Sequence, residues 1–316
     1  MSRSKSSRSD VCSSPKCHKN FVKIYEDIFS GDLSRISAAY KYKNLAIPSK
    51  LFRFRPISVR TLVELERGHV YMTSVNKLDD PLDTNFLQRS VPSEVTVAAT
   101  ELGFDLNGFR QSTFEQNHKD MRISCFTERK DNFCMWKYYA NERNGLCFEY
   151  DLTRIKDGND YRLRCLFPVI FESHLEQCDM EPFDNSNELL EAVGLVFDIN
   201  NPAHKKIWHE AANGFALRTY KRAEWVWLEE WRLINSPFGY EIEPDESFSN
   251  WMRRVQMQIK KQTIEDNYAD FSDLISIVYL GDKLNDIEAA KVCEIASKKK
   301  IEVQKLCVDN GKIEFI

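Results

Sequence analysis

The chain has 316 residues, 42% of them hydrophobic and 29% charged, enough apolar surface to bury a core in one large domain or two small ones. Lys and Arg total 44 against 48 Asp and Glu, a net charge of −4, which excludes the overall basic balance of a duplex-DNA binder. No run approaches the roughly 20 apolar residues that span a bilayer, and the basic, Ser-rich start lacks the apolar core of an export signal, so a cytoplasmic protein with no membrane partner is expected.

Residues Met1 to Lys19 are nearly free of apolar side chains and read as a disordered tail. Cys12-x4-Cys17-His18 within it has no second ligand pair at zinc spacing, and the nine cysteines are odd in number and scattered, so free thiols are expected rather than a disulfide framework. Phe21, Ile24, Tyr25 and Ile28 recur at helical spacing, and a second helical stretch runs to about Tyr42. Leu51 to Pro56 alternates strictly, with Phe52 and Phe54 on one face and Arg53 and Arg55 on the other, the pattern of a strand. A helix over Thr61–Arg67 stopped at Gly68, a strand over Val70–Ser74 and a strand over Met121–Phe126 follow. The spacing then predicts a helix over Asn132–Arg143 capped by Asp131 and ended by Asn144-Gly145, and a strand over Leu146–Tyr150.

Val169–Phe171 is read as a further strand, and Glu188–Val196, Ala203–Tyr220 and Asp245–Asp266 as helices. The chain closes with a strand over Ile275–Leu280, a helix over Asp286–Lys299, a strand over Ile301–Val308, a turn at Asp309-Asn310-Gly311 and a strand over Lys312–Ile316. The mixture predicts a single α+β domain over residues 20–316, a mixed and mostly antiparallel sheet with flanking helices, and a helical insertion at about 184–270.

Trp225-Val226-Trp227-Leu228-Glu229-Glu230-Trp231-Arg232 sets acid and base among three of the six tryptophans. Extended, Glu230, Arg232 and Ile234 share one face and Trp231 and Leu233 the other. A carboxylate on a rigid strand beside aromatic rings suits a sugar hydroxyl or a developing cation, and a structural Glu-Arg pair suits the same residues. Arg53 and Arg55 offer two guanidiniums to a phosphate or to neighbouring acids. Asp79, Asp80 and Asp83 suit a Mg²⁺ site or a capped turn. Trp136, Tyr139 and Arg143 fall one helical turn apart, as a stacking face or as core. Arg253-Arg254 and Lys260-Lys261 read as a solvated helix face or a contact surface.

The segments Leu51–Pro56, Leu78–Asp83, Ile123–Glu128, Met135–Ala140, Asn144-Gly145 and Glu230–Ile234, in that order and spacing, resemble the bacterial domain-of-unknown-function family 2971 over about Pro48 to Lys283. Asp79, where that family usually has Asn, and Leu228, where a further acidic residue is common, depart from its pattern. That resemblance implies a bacterial cytosolic protein with a role in a defence or toxin system. More distantly, the order of a strand-borne Arg, a Ser strand with an aromatic helix and a late strand-borne Glu is similar to that of ADP-ribosyltransferases. That resemblance implies an ADP-ribosyltransferase-like fold and NAD as substrate, with an unknown macromolecular acceptor and a regulatory protein as further partners. It implies Glu230 and Arg55 as catalytic residues, and Arg53, Ser124, Trp136, Tyr139 and Arg232 around the cofactor. Two alternatives stay open. One is a Mg²⁺-dependent phosphodiesterase or nuclease built on Asp79, Asp80, Asp83 and Glu230. The other is a non-catalytic protein- or RNA-binding module using the basic helix around Arg253 to Lys261, in which Arg55 and Glu230 are paired with each other or with neighbours and no cleft joins them.

Overall fold

The computed structural model describes residues 33–74, 77–78, 122–171, 220–221, 223–235, 263–264, 267–309 and 312–316, with single positions at 21, 23, 24, 27, 250, 253, 254 and 257. In chain order, α1 (Leu33–Ala46), β1 (Lys50–Pro56), α2 (Val59–Arg67), β2 (His69–Tyr71) and β3 (Thr73–Ser74) come first. Then come β4 (Arg122–Thr127), α3 (Phe133–Tyr138), β5 (Gly145–Asp151), α4 (Tyr161–Arg164), β6 (Leu166–Pro168) and β7 (Ile170–Phe171). β8 (Tyr220–Lys221), a 3₁₀ segment (Ala223–Leu228), β9 (Glu230–Ile234), β10 (Thr263–Ile264), β11 (Tyr268–Asp270) and β12 (Ile275–Leu280) follow. The chain closes with α5 (Asp286–Lys299), β13 (Glu302–Asp309) and β14 (Lys312–Phe315).

A nine-stranded sheet runs β14-β13-β12-β5-β1-β4-β9-β6, with β3 beside β4. Within it β12 and β13, joined through α5, pair in parallel, and the other pairs are antiparallel. The fold is therefore α+β with a mostly antiparallel sheet. β5 is buried almost throughout, and its Glu149 is accommodated because Lys50, Ser276 and Tyr279 all donate to the carboxylate. Leu51, Phe148, Tyr150, Val278, Trp231 and Leu233 form one core with residues of α1, α2 and α5. Phe52, Phe54, Cys147 and Tyr279 form a second core with Met135 and Trp136 of α3 and Leu306 of β13.

Local chemistry sets the element ends. Ser58 caps α2 by accepting from the Thr61 N–H, and Gly68 ends it at φ 73. Asn285 caps α5, acids occupy its first turn and Lys298 and Lys299 its last, an arrangement that complements the helix dipole. The strand expected over Val70–Ser74 is split at Met72, whose N–H bonds Asn267 instead, so β2 joins β10 and β11 while β3 joins the main sheet. The strand expected over Val169–Phe171 is found as β7 over Ile170–Phe171, and β6, just before it over Leu166–Pro168, was not expected.

The helix expected over Asn132–Arg143 stops at Tyr138, and its cap is Asn132, not Asp131, which pairs with Arg129. Asn141, Glu142 and Arg143 instead take left-handed φ of 48°, 55° and 71°, at a cost of about 1–2 kcal/mol each. Their amides still serve the helix end, with the Arg143 N–H on the Trp136 carbonyl and the Glu142 N–H on that of Lys137. Trp136, Tyr139 and Arg143 therefore do not share a helix face. The tight turn brings Gly145 against β1, where an added Cβ would stand 2.4 Å from the Arg55 carbonyl oxygen and 2.8 Å from that of Ala140. Gly145→Ala is expected to lower stability by about 2–3 kcal/mol, measurable as a shift of the urea midpoint at constant m-value.

Of the helices expected at Glu188–Val196, Ala203–Tyr220 and Asp245–Asp266, the first lies outside the described residues. Tyr220, the last residue of the second, begins β8, and in the third Arg253, Arg254 and Met257 are helical while Thr263–Ile264 is a strand. The tail at 1–19 also lies outside the described residues. No helix among the described residues is long and apolar enough to cross a membrane.

Candidate functional site

β1 and β4 pair at a single position, Phe52 opposite Thr127. Residues 53–55 of β1 and 123–126 of β4 line a cavity of about 280 Å³ instead of bonding to each other. The sheet is thus open at its centre. Directly opposed residues of an antiparallel pair share a face. Phe52 opposes Thr127, and Thr127 opposes Glu230, so Phe52, Phe54 and Glu230 lie on one face. By alternation Arg53 and Arg55 lie on the other, as do Ser124 and Phe126 of β4. Arg55 and Glu230 leave the sheet in opposite directions, and both line the cavity because it lies in the gap between the strands.

The two sides differ in chemistry. On the arginine side, Glu64 of α2 is 2% exposed and splits its carboxylate, Oε2 accepting from Arg53 at 2.8 Å and Oε1 from Arg55 at 3.2 Å. Arg53 spends its other terminal nitrogen on the Tyr71 carbonyl at 2.9 Å. Among the described residues the buried Arg55 Nε has no hydrogen-bond partner, and neither has the Ser124 Oγ, on a residue only 2% exposed. Burial first, then the like charge of Arg53, lowers the Arg55 pKa to about 10, with Glu64 opposing. Arg60, over the Tyr71 ring at 4.5 Å, and Lys77 add exposed positive charge to the cavity wall.

On the other side, Phe52, Phe54, Met135, Tyr139, Trp225 and Leu228 surround the approach to Glu230. The Glu230 Oε1 accepts from the Arg232 Nε at 2.6 Å, and both side chains are buried. Asn132, the α3 cap, also donates to the Trp227 carbonyl at 2.6 Å, which ties α3 to the 3₁₀ segment carrying Trp225. Trp225 lies 5.9 Å from Trp227, and Trp227 lies 6.2 Å from Tyr138. Glu229, just before Glu230, sits at φ 45°, backbone strain of about 1–3 kcal/mol. This strain and that of the Asn141–Arg143 turn fall next to cavity residues Glu230 and Tyr139.

Of the residues singled out in the sequence, Arg53, Arg55, Ser124, Tyr139 and Glu230 line this one cavity. Trp136 does not. It is fully buried, edge-on to Phe54 at 5.0 Å, with its Nε1 donating to the Lys130 carbonyl. Arg232 is fully buried behind Glu230 and is placed to orient it rather than to meet a ligand. Asp79, Asp80 and Asp83 follow the cavity-lining Leu78 in the chain and lie outside the described residues. Among the described residues no cluster of His, Cys, Asp and Glu is grouped to hold a metal.

The chain matches no known family model, curated protein or solved structure.

Sequence reasoning missed Glu64. The signal was present in the chain, because Thr61, Glu64 and Leu65 form the buried face of α2, and a carboxylate on a buried face needs a cationic partner. The pairing of Arg55 and Glu230 with neighbours agrees with the binding-module alternative. The cavity that both residues line does not, since that alternative required no joining cleft.

Proposed function

We propose that this protein is an NAD-consuming, ADP-ribosyltransferase-like effector of the cytoplasm, acting in bacterial defence or a toxin system and transferring ADP-ribose to an acceptor or to water. The observation that carries this reading is a single cavity lined by guanidinium on one side of the sheet and by a carboxylate among aromatic rings on the other. A dinucleotide has matching ends, anionic phosphates and a flat base on a ribose. In this reading Arg55, supported by Arg53, neutralises phosphate charge. Tyr139 and Trp225 border the nicotinamide, and Glu230 faces the ribose carbon from which it leaves. As the C1′–N bond breaks, its electron pair leaves with neutral nicotinamide and positive charge develops on the ribose, which the Glu230 carboxylate stabilises. The acceptor then bonds to C1′ and gives up a proton.

The cavity is at the low end of ligand pockets, about 300–1,000 Å³, so the reactive half of the dinucleotide enters and the adenosine half lies along the rim. The cysteines among the described residues are free thiols, which supports a reducing compartment. The residue order that resembles ADP-ribosyltransferases supports the same assignment.

Calorimetric titration with NAD tests it. The protein is expected to bind, and Arg55→Ala is expected to weaken binding at least tenfold, about 1.4 kcal/mol, in line with a lost charge-assisted bond. Turnover that persists in EDTA separates this chemistry from a Mg²⁺-dependent nuclease. Absence of NAD binding by the unaltered protein would overturn the proposal.

A further inference from the structure

Arg53, Glu64 and Arg55 form a largely buried trio of two positive groups around one negative group, 7% exposed at Arg53, 2% at Glu64 and 22% at the Arg55 side chain. Both carboxylate oxygens of Glu64 are engaged, one by each arginine. The trio by itself carries a net charge of +1. Arg55 is the member with bonding capacity left, its Nε being buried and without a partner among the described residues, and the Ser124 Oγ on the same sheet face is buried and likewise without one. Both residues line the cavity. Buried donors without acceptors cost about 1–3 kcal/mol each, and an uncompensated buried charge costs more, so an acceptor ligand entering here removes both penalties.

We infer that this pocket selects a phosphate group bearing a single negative charge, as in a phosphodiester or an internal diphosphate linkage, over a terminal phosphate bearing two, and that Glu64 sets the preference. The inference deepens the dinucleotide reading and rests on it for the ligand's identity. A monoanion neutralises the trio, whereas a dianion leaves one negative charge in a poorly solvated site. Arg60 and Lys77 are exposed and act through solvent, which screens them, so they strengthen attraction for anions without fixing the charge accepted inside. Glu64 touches no ligand in this scheme. It is a positioning residue, holding both guanidiniums on the cavity side while cancelling one of their charges.

The experiment compares adenosine 5′-monophosphate with its methyl phosphodiester by calorimetry at pH 8, where the monoester has passed its second pKa of about 6 and carries close to two charges. The unaltered protein is expected to bind the methyl ester at least fivefold more tightly. Glu64→Gln, which raises the trio to two positive charges, is expected to reverse the order, an outcome that mere structural damage would not produce. Arg53→Met, which leaves Glu64 to cancel Arg55, is expected to weaken both ligands. A tighter monoester in the unaltered protein, failure of both ligands to bind, or a preference unmoved by a folded Glu64→Gln protein would each overturn the inference. Absent NAD turnover beside an intact ester preference would sink the transferase reading alone. Normal turnover with the monoester preferred would sink only this one.

Discussion

Replacing Glu230 by Asp is expected to lower NAD turnover at least 100-fold while leaving the protein folded. The shorter side chain keeps its negative charge and, with it, much of the attraction to Arg232, which is fully buried and now donates to Glu230 at 2.6 Å. It withdraws the carboxylate from the cavity by about one bond length, and a displacement near 1 Å in a reacting group costs about 10²-fold. Glu230→Gln is expected to cost more on both counts. Turnover should fall by about 10³-fold, because the developing ribose cation loses its counter-charge. Stability should also fall, by up to about 3–5 kcal/mol, because the buried Arg232 guanidinium loses its carboxylate. Single-turnover assays of the folded protein, combined with urea unfolding of both variants, separate the two effects. If Asp at this position turns over NAD as the parent does, Glu230 serves only to neutralise Arg232 and the catalytic assignment falls.

The elements most legible in the sequence were those whose signals are local. The helix expected over Asp286–Lys299 is found with those bounds, since Asn285, the early acids and the late lysines act within one turn of the chain. β1 was legible from its alternation, and the structure sends Phe52 and Phe54 to one core and Arg53 to Glu64, as that alternation requires. α3 was overextended because Asn-Glu-Arg carries no helix-breaking residue. What ends the helix is tertiary, the packing of Gly145 under β1 and of Gly281 against the Arg143 carbonyl oxygen, where an added Cβ would stand 1.9 Å away. The site divides in the same way. Chemical type and order brought Arg55, Ser124, Tyr139 and Glu230 to attention, and they do line one cavity. That Arg55 and Glu230 occupy opposite sheet faces, joined through a gap between strands, follows from the single β1–β4 pairing. That pairing, with the β4–β9 register that carries it on to Glu230, links segments about 75 and 100 residues apart in sequence and has no local signature. Trp136 shows the converse error, since the spacing that suits a stacking platform equally suits a core residue, and burial decides for the core.

The second large effect concerns stability and lies away from the cavity. Lys43 of α1 is fully buried, and its Nζ donates to the carbonyls of Leu163, Arg164 and Leu166 at 2.7, 3.3 and 3.0 Å, closing the end of α4 where it turns into β6. Burial lowers this amine from its usual 10.5 to about 7. Between that value and the unfolded lysine's pKa of about 10.4, the unfolded chain holds the additional proton, so the Lys43 contribution to stability rises with pH across this window. Its full amplitude is on the order of 5 kcal/mol. Lys43→Met removes both the titration and the donors, leaving the buried carbonyls of Leu163 and Leu166 and the half-buried one of Arg164 to share none of the two N–H groups that the neutral amine offers, at about 1–3 kcal/mol for each bond lost. The variant is therefore expected to be the less stable protein at pH 9. Its deficit should shrink toward pH 6, where the unaltered protein bears the cost of a buried ammonium. Cys147, whose thiol burial raises well above its usual range, favours the opposite trend above about pH 8.5, and it does so in both proteins, so it cancels in their difference. Urea unfolding of the two proteins from pH 6 to 10 reads that difference directly. A gap that stays constant or narrows with rising pH would show that Lys43 remains charged in the folded state, held as an ammonium by its three carbonyls against the penalty of burial.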